Sequence, residues 1–211
     1  MTIRQRATRR VIWMFAESWL GLVWGVYSMV VMEYLLGPEI YGVIALAYIV
    51  LGVGGIFLGG TLTEALLQFE QLRPGHSNAA FWLNMALGAP FTLLVIFAAE
   101  PLAAIFDVPA LAQILPIIAC VSLFGQLGDV PEALLERDLQ HKKLVILDNL
   151  VGFPCAVLGI LLAYLGFGIW SVVWSAALTT VLSTLAICFA ARWKPGIQQS
   201  QKDLNDIVRF A

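Results

Sequence analysis

Acidic side chains set inside otherwise apolar stretches are the residues through which this sequence could do chemistry. Glu17, Glu33, Glu64, Asp129 and Asp148 lie within or at the ends of long hydrophobic runs. An ionisable group in hydrocarbon is costly, so such residues mark ion or substrate paths by default. Glu17 sits about two turns into its run, roughly 9 Å deep at 1.5 Å per residue. Two readings stand beside each other: a proton or cation site, or a hydrogen-bonded packing residue reaching Ser18, Asn84 or the cytoplasmic interface. Asn84 and Gln126 are the natural polar co-liners of a cavity. Glu33, Glu64, Asp129 and Asp148 fall near span ends, where head groups or water are within reach.

Enzyme signatures are missing from the sequence. His76 and His141 are its two histidines, both expected in cytoplasmic loops, and there is no H-E-x-x-H, P-loop or G-x-S-x-G elbow. Cys120, Cys155 and Cys188 have neither C-x-x-C spacing nor a neighbouring histidine, and read as buried packing thiols. The residues thus predict no enzyme, no metal site and no cofactor.

The elements that must position these residues follow from composition. Hydrophobic residues make up 60% of the 211 and charged residues 12%, against about 25% charged in a soluble domain. With mean hydropathy of +0.86, too little polar surface remains to cover a water-soluble core. Six stretches reach the roughly 20 apolar residues a membrane-crossing helix needs: 11–36, 43–66, 78–99, 111–128, 144–165 and 169–191. Their continuous apolarity, without period-two alternation, favours helices over a barrel. The expected fold is an all-α membrane protein, a six-helix transmembrane bundle over 1–194 with a polar tail over 195–211.

Placing the 12 basic residues orients the bundle. Arg4, Arg6, Arg9 and Arg10 precede the first span, Arg73 lies between the second and third, and Arg137, Lys142 and Lys143 lie between the fourth and fifth. Arg192, Lys194, Lys202 and Arg209 follow the sixth. The connectors 37–42, 100–110 and 166–168 contain none. Lys and Arg in short loops stay cytoplasmic, so both ends of the segment are predicted inside. Trp13, Trp82 and Trp193 at the inner span ends and Tyr34, Tyr41, Tyr164 and Trp170 at the outer ends form the interfacial aromatic belt. The basic, then apolar, opening is too long in its apolar run for a cleaved signal and reads as an anchor.

The connector DVPEALLERDLQHKK at 129–143 is amphipathic. Leu134, Leu135 and Leu139 are placed at the cytoplasmic interface, with Arg137, Lys142 and Lys143 toward anionic head groups; the positive-inside rule alone explains the same charges. In the tail, Ser200 and Asp203 have capping-box spacing, and Leu204, Ile207 and Val208 follow at helical intervals, so a further helix begins there. Gly21-x-x-x-Gly25, Gly55-x-x-x-Gly59 and Ser171-x-x-x-Ser175 permit close helix approach. Pro90, Pro116 and Pro154 permit kinks in the third, fourth and fifth spans.

Several strings occur in an order that resembles Wzx-type polysaccharide flippases, the superfamily that also holds the MATE exporters and the lipid II flippase. They are LLGPEIYGVIALAYIV at 35–50, FWLNMALG at 81–88, VPEALLERDLQHKKL at 130–144 and GFGIWSVV at 166–173, followed by Trp193–Pro195. The similarity is greatest to the lipopolysaccharide and exopolysaccharide exporter subgroup. It departs from the pattern at Glu33-Tyr34, at Gly59-Gly60-Thr61-Leu62 and at His141. The resemblance implies translocation of an undecaprenyl-diphosphate-linked oligosaccharide across the bacterial inner membrane by alternating access, with proton or sodium coupling through an acid such as Glu17. It implies that the chain is the N-terminal half of a pseudo-symmetric two-bundle transporter. Membrane lipid, the lipid-linked oligosaccharide, and a polysaccharide polymerase or glycosyltransferases are the implied partners, and no nucleic acid. The rival readings are a multidrug or small-metabolite exporter of the same fold and a non-transporting scaffold for polysaccharide-synthesis enzymes.

Overall fold

A computed structural model describes residues 21–58, 66–67, 73–138 and 140–196. Among these residues the chain is helical, with no strand: α1 (Gly21–Leu36), α2 (Pro38–Leu58), α3 (Pro74–Ile105), α4 (Ala110–Gly125), a 3₁₀ turn (Gln126–Gly128), α5 (Asp129–Arg137), α6 (His141–Tyr164) and α7 (Ile169–Ala191). Four stretches are long and apolar enough to cross a membrane: Gly75–Ile105, Ala110–Arg137, Lys142–Tyr164 and Ile169–Ala191. α1 and α2 contribute two shorter apolar stretches. The chain is an all-α membrane protein. Its outward surface agrees: Phe97, Phe189 and Tyr34 are 79%, 88% and 89% exposed, which a bilayer tolerates and water does not.

Short connections make sequential helices neighbours. Only Gly37 separates α1 from α2; its φ of 82° lies in the left-handed region, and its N–H closes on the Glu33 carbonyl at 2.9 Å. Glycine after a helix end and proline at the start of the next is the favoured pairing for such a turn. The connector expected over 37–42 therefore shrinks to one residue. α3 runs as far as Ile105, through both Pro90 and Pro101, a length of about 48 Å. α6 and α7 join through Gly166 and Gly168, both at positive φ.

The main core is a four-helix layer: Ala47 of α2, Val95, Ala99 and Ala103 of α3, Leu111, Ile114, Leu115, Ile118 and Ala119 of α4, and Val173 of α7. At the opposite end a second cluster joins Leu66, Ala79, Ala80 and Phe81 to Val130 and Ala133. A third joins Leu135, Leu144 and Ile187. Small residues let α6 and α7 approach closely. A Cβ on Gly159 would stand 2.8 Å from the Ser175 Cβ and 3.3 Å from the Met32 methyl.

The segment expected to be an interfacial loop after residue 128 is a helix continuing from α4. Its apolar side faces the bundle: Leu135 is buried in the third cluster, and Leu134 packs on the second. Arg137 Nη1 donates to the Leu66 carbonyl at 2.9 Å, tying α5 to the α2–α3 connection. Lys142 and Lys143 are exposed at the start of α6. Beyond α7 the chain doubles back onto α3. Gly196 N donates to Asn78 Oδ1 at 2.9 Å, Trp82 Nε1 donates to the Gly196 carbonyl at 3.1 Å, and Trp193 lies edge-on to Phe81.

Candidate functional site in the helix bundle

The polar residues of the spans meet where α4 gives way to α5. A 3₁₀ segment inside a long helix shifts the register of the side chains and often marks a hinge or local strain. Here it is flanked by Gly125 and ends on Gly128. A Cβ on Gly125 would stand 3.1 Å from the Thr180 methyl, and one on Gly128 3.4 Å from that of Thr184. Thr180 and Thr184, four residues apart on one face of α7, are thereby brought against the turn. On the other side, a Cβ on Gly88 of α3 would run into the Gln126 side-chain oxygen. Glycine at 88 therefore makes room for Gln126.

Asp129, the first residue of α5, is held from behind. Asn84 of α3 is 1% exposed, and its Nδ2 donates to Asp129 Oδ2 at 2.8 Å. A hydrogen bond to a carboxylate is shorter and stronger than a neutral one, and inside a bundle it fixes the rotamers at both ends. Asn84 Oδ1 and Gln126 Oε1 are buried with no hydrogen-bond partner among the described residues.

Gln126 and Asp129 form part of the wall of a cavity of about 570 Å³, and Asn84 stands behind Asp129 outside the lining. Gln126, Asp129 and Glu132 line it from the 3₁₀ turn and α5, Asp148 from α6, and Thr180 and Thr184 from α7. Tyr48, Leu51, Phe91 and Ile117 supply the apolar side. Glu132 and Asp148 are exposed at the mouth, whereas Asp129 is half-buried. No Lys, Arg or His lines it among the described residues. The lining is therefore amphiphilic and acidic, suited to hydrogen-bond donors or positive charge and hostile to free anions.

The structure thus brings together Asn84, Gln126, Asp129 and Asp148. Glu33 is exposed at the end of α1, away from the cavity. Arg137 turns to the Leu66 carbonyl. Glu17 and Glu64 lie outside the described residues. His76 is buried in the first turn of α3, where its Nδ1 accepts from the Arg73 backbone N–H at 3.4 Å. Of the cysteines, Cys155 is buried, Cys188 is half-buried with its thiol directed at the Leu127 carbonyl, and Cys120 is exposed on the outside of α4. Glu132, Thr180 and Thr184 join the site unanticipated. The signal for Glu132 was its i+3 spacing from Asp129, legible only once 129–137 is known to be helical.

A second, apolar groove of about 660 Å³ runs between α1 and α6, lined by Val23, Trp24 and Tyr27 on one side and Ile146, Leu150 and Phe153 on the other. Trp24 and Phe153 stack there with ring centroids 4.4 Å apart.

A family model described as polysaccharide biosynthesis protein matches residues 31–211. The chain belongs to that family. Two curated members or relatives illustrate the likeness. The succinoglycan biosynthesis transport protein ExoT of Rhizobium meliloti (strain 1021) is 30% identical over 183 residues, covering 86% of this chain and 37% of that protein. An uncharacterized membrane protein in the cps region of Klebsiella pneumoniae is 20% identical over 192 residues, covering 91% of this chain and 40% of that protein. The chain therefore spans less than half the length of these relatives. No solved structure matches it.

Proposed function

We propose that the bundle takes part in polysaccharide export, moving a lipid-linked oligosaccharide from the cytoplasmic to the periplasmic leaflet of the bacterial inner membrane. The observation that carries this reading is the polar cavity among the membrane-crossing helices of a polysaccharide biosynthesis family member. A cavity of about 570 Å³ with carboxylate, amide and hydroxyl groups in its wall suits a hydrophilic cargo whose lipid stays in the bilayer. Likeness to a succinoglycan biosynthesis transport protein supports transport rather than synthesis.

In this reading the chain supplies one half of a two-bundle transporter that works by alternating access, since it spans 37% and 40% of the two relatives. In the same reading both ends of the segment face the cytoplasm, which the placing of its Lys and Arg supports. Asp129, with Asn84 behind it, is the residue through which proton or sodium movement couples to transport; Glu17 is a second candidate. The test is surface-polymer export in a host lacking the gene and carrying either the full-length protein or Asp129→Asn. Normal export in the deletion strain refutes the transport role. Normal export with Asp129→Asn removes only the coupling role of that residue.

A further inference from the structure

The apolar groove between α1 and α6 is as long as one bilayer leaflet is deep, and one of its mouths is cationic. Along α6 it runs from Val145 to Pro154, about 14 Å at 1.5 Å per residue. One leaflet contributes about 15 Å of hydrocarbon, half of a roughly 30 Å core. Trp24 packs on Phe153 at 4.4 Å and on Tyr27 at 5.4 Å between ring centroids, an aromatic floor across the groove. Asn149, the amide in its wall, turns its Nδ2 back to the Val145 carbonyl of its own helix at 2.8 Å. Val23, Tyr27, Leu150 and Phe153 are each more than half exposed, so no described part of the chain covers the groove. Lys142 stands one turn before Val145. Lys142, Val145, Ile146, Asn149 and Phe153 share one face of α6, at i, i+3, i+4, i+7 and i+11. Lys143 is beside it, and both lysines are exposed. Asp148 lines the polar cavity instead, and no Asp or Glu lines the groove among the described residues.

We propose that this groove binds an anionic diacyl phospholipid of the leaflet that Lys142 and Lys143 face, with one acyl chain along Trp24 and Phe153 and the phosphate at the two ammonium groups. The occupant follows from length and charge together. A chain lying in the groove runs from head-group level to mid-bilayer, as an acyl tail does, and its phosphodiester then arrives where the lysines stand. A Lys ammonium meets phosphate as a compact point charge with three donors. Each Lys near a negative lipid surface strengthens binding by about fivefold, so the pair selects anionic over zwitterionic lipid by roughly 25-fold. Contact between the tail and the aromatic floor adds affinity without discriminating between head groups. The groove lies on the lipid-facing side of α1 and α6, apart from the polar cavity, and the proposal does not depend on the transport reading.

The test is native mass spectrometry of the full chain in detergent, with dioleoylphosphatidylglycerol and dioleoylphosphatidylcholine added at equal concentrations. Wild type should carry phosphatidylglycerol in its first lipid adduct more than about tenfold more often than phosphatidylcholine. Lys142→Gln combined with Lys143→Gln should bring the two lipids to within about twofold of each other. Ile146→Trp fills the groove from α6 and Val23→Trp fills it from α1. Both positions are exposed, so the fold tolerates the larger side chain. Each should cut the phosphatidylglycerol adduct several-fold, and either decides the point if the other fails to fold. Undecaprenyl phosphate, a polyprenyl source of the same phosphate chemistry, is added at the same concentration in a separate arm and should displace less than half of the phosphatidylglycerol. Equal retention of the two lipids by wild type, or a preference that survives the double lysine change, overturns the proposal. So does normal lipid retention by the tryptophan variants, or displacement of most of the phosphatidylglycerol by undecaprenyl phosphate.

Discussion

The contact between Gly159 and Ser175 makes the sharpest demand on the packing of α6 and α7. An alanine at 159 would place its methyl 2.8 Å from the Ser175 Cβ and 2.9 Å from its hydroxyl oxygen. Carbon atoms in contact prefer about 3.5–4.0 Å, so the overlap is close to 1 Å. The far end of a long side chain could swing away, but a Cβ is fixed to its own backbone. The Met32 methyl at 3.3 Å closes the remaining direction. Relief therefore requires the two helices to separate. Overpacking of this kind costs about 1–3 kcal/mol, which for a chain of this size lowers the unfolding midpoint by about 2–4 °C per kcal/mol. Gly159→Ala, purified in mild detergent, should melt several degrees below wild type when followed by tryptophan fluorescence. Gly159→Ala combined with Ser175→Gly should recover most of the loss, because the second change removes the Cβ that was struck. A single variant as stable as wild type, or a double variant no better than the single, refutes the assigned helix contact.

Three further outcomes follow from other contacts. Gly88→Ala should leave the melting midpoint almost unchanged but reduce polymer export, because the obstacle its methyl meets is the mobile tip of Gln126, which swings off the cavity wall. Gly37→Ala, forced to hold φ near 82°, should lose about 1–2 kcal/mol in a denaturant titration, and Gly37→Asn less, since asparagine tolerates the left-handed region. Trp82→Phe keeps an aromatic ring against Phe81 but loses the donor to the Gly196 carbonyl. Tryptic cleavage after Arg192 should then be faster while the midpoint falls by no more than about 1 kcal/mol equivalent.

Much of the architecture was legible because a bilayer imposes simple rules. The apolar stretches at 78–99 and 169–191 lie inside α3 and α7, and 144–165 runs one residue past the end of α6, since helix is the cheapest way to satisfy a backbone in hydrocarbon. What the residues concealed was the stretch after 128. Read as an amphipathic connector, DVPEALLER gave no sign that the bundle would accept Val130, Ala133 and Leu135 as core. Hydrophobic pattern reports which face is apolar but not whether lipid or protein covers it. Because α5 prolongs α4, Asp129 stands eight residues from the end of the continuous helical stretch Ala110–Arg137, about 12 Å along the axis. Asn84 and Gln126 were visible as polar residues within apolar spans, but the glycines that seat them were not. Gly88, Gly125 and Gly128 acquire meaning only from what stands opposite them.

A polar seam lies between two apolar layers. Along α3, Ala79–Phe81 belong to one cluster and Val95–Ala103 to the other, with Asn84 and Gly88 between them. Along α4 and α5, Val130 and Ala133 lie on one side and Leu111–Ala119 on the other, with Gln126 and Asp129 between. Each layer joins the same helices through apolar contacts on its own side of the seam. Stability and recognition therefore reside in different residues of the same helices. Truncating Leu111 or Leu115, both fully buried, removes core at about 2–5 kcal/mol each and threatens the fold itself. Exchanging Gln126 for Met or Asp129 for Leu removes a polar group from the cavity wall without truncating either apolar layer. That separation is what lets a membrane bundle keep costly polar atoms facing a cavity without unfolding around them.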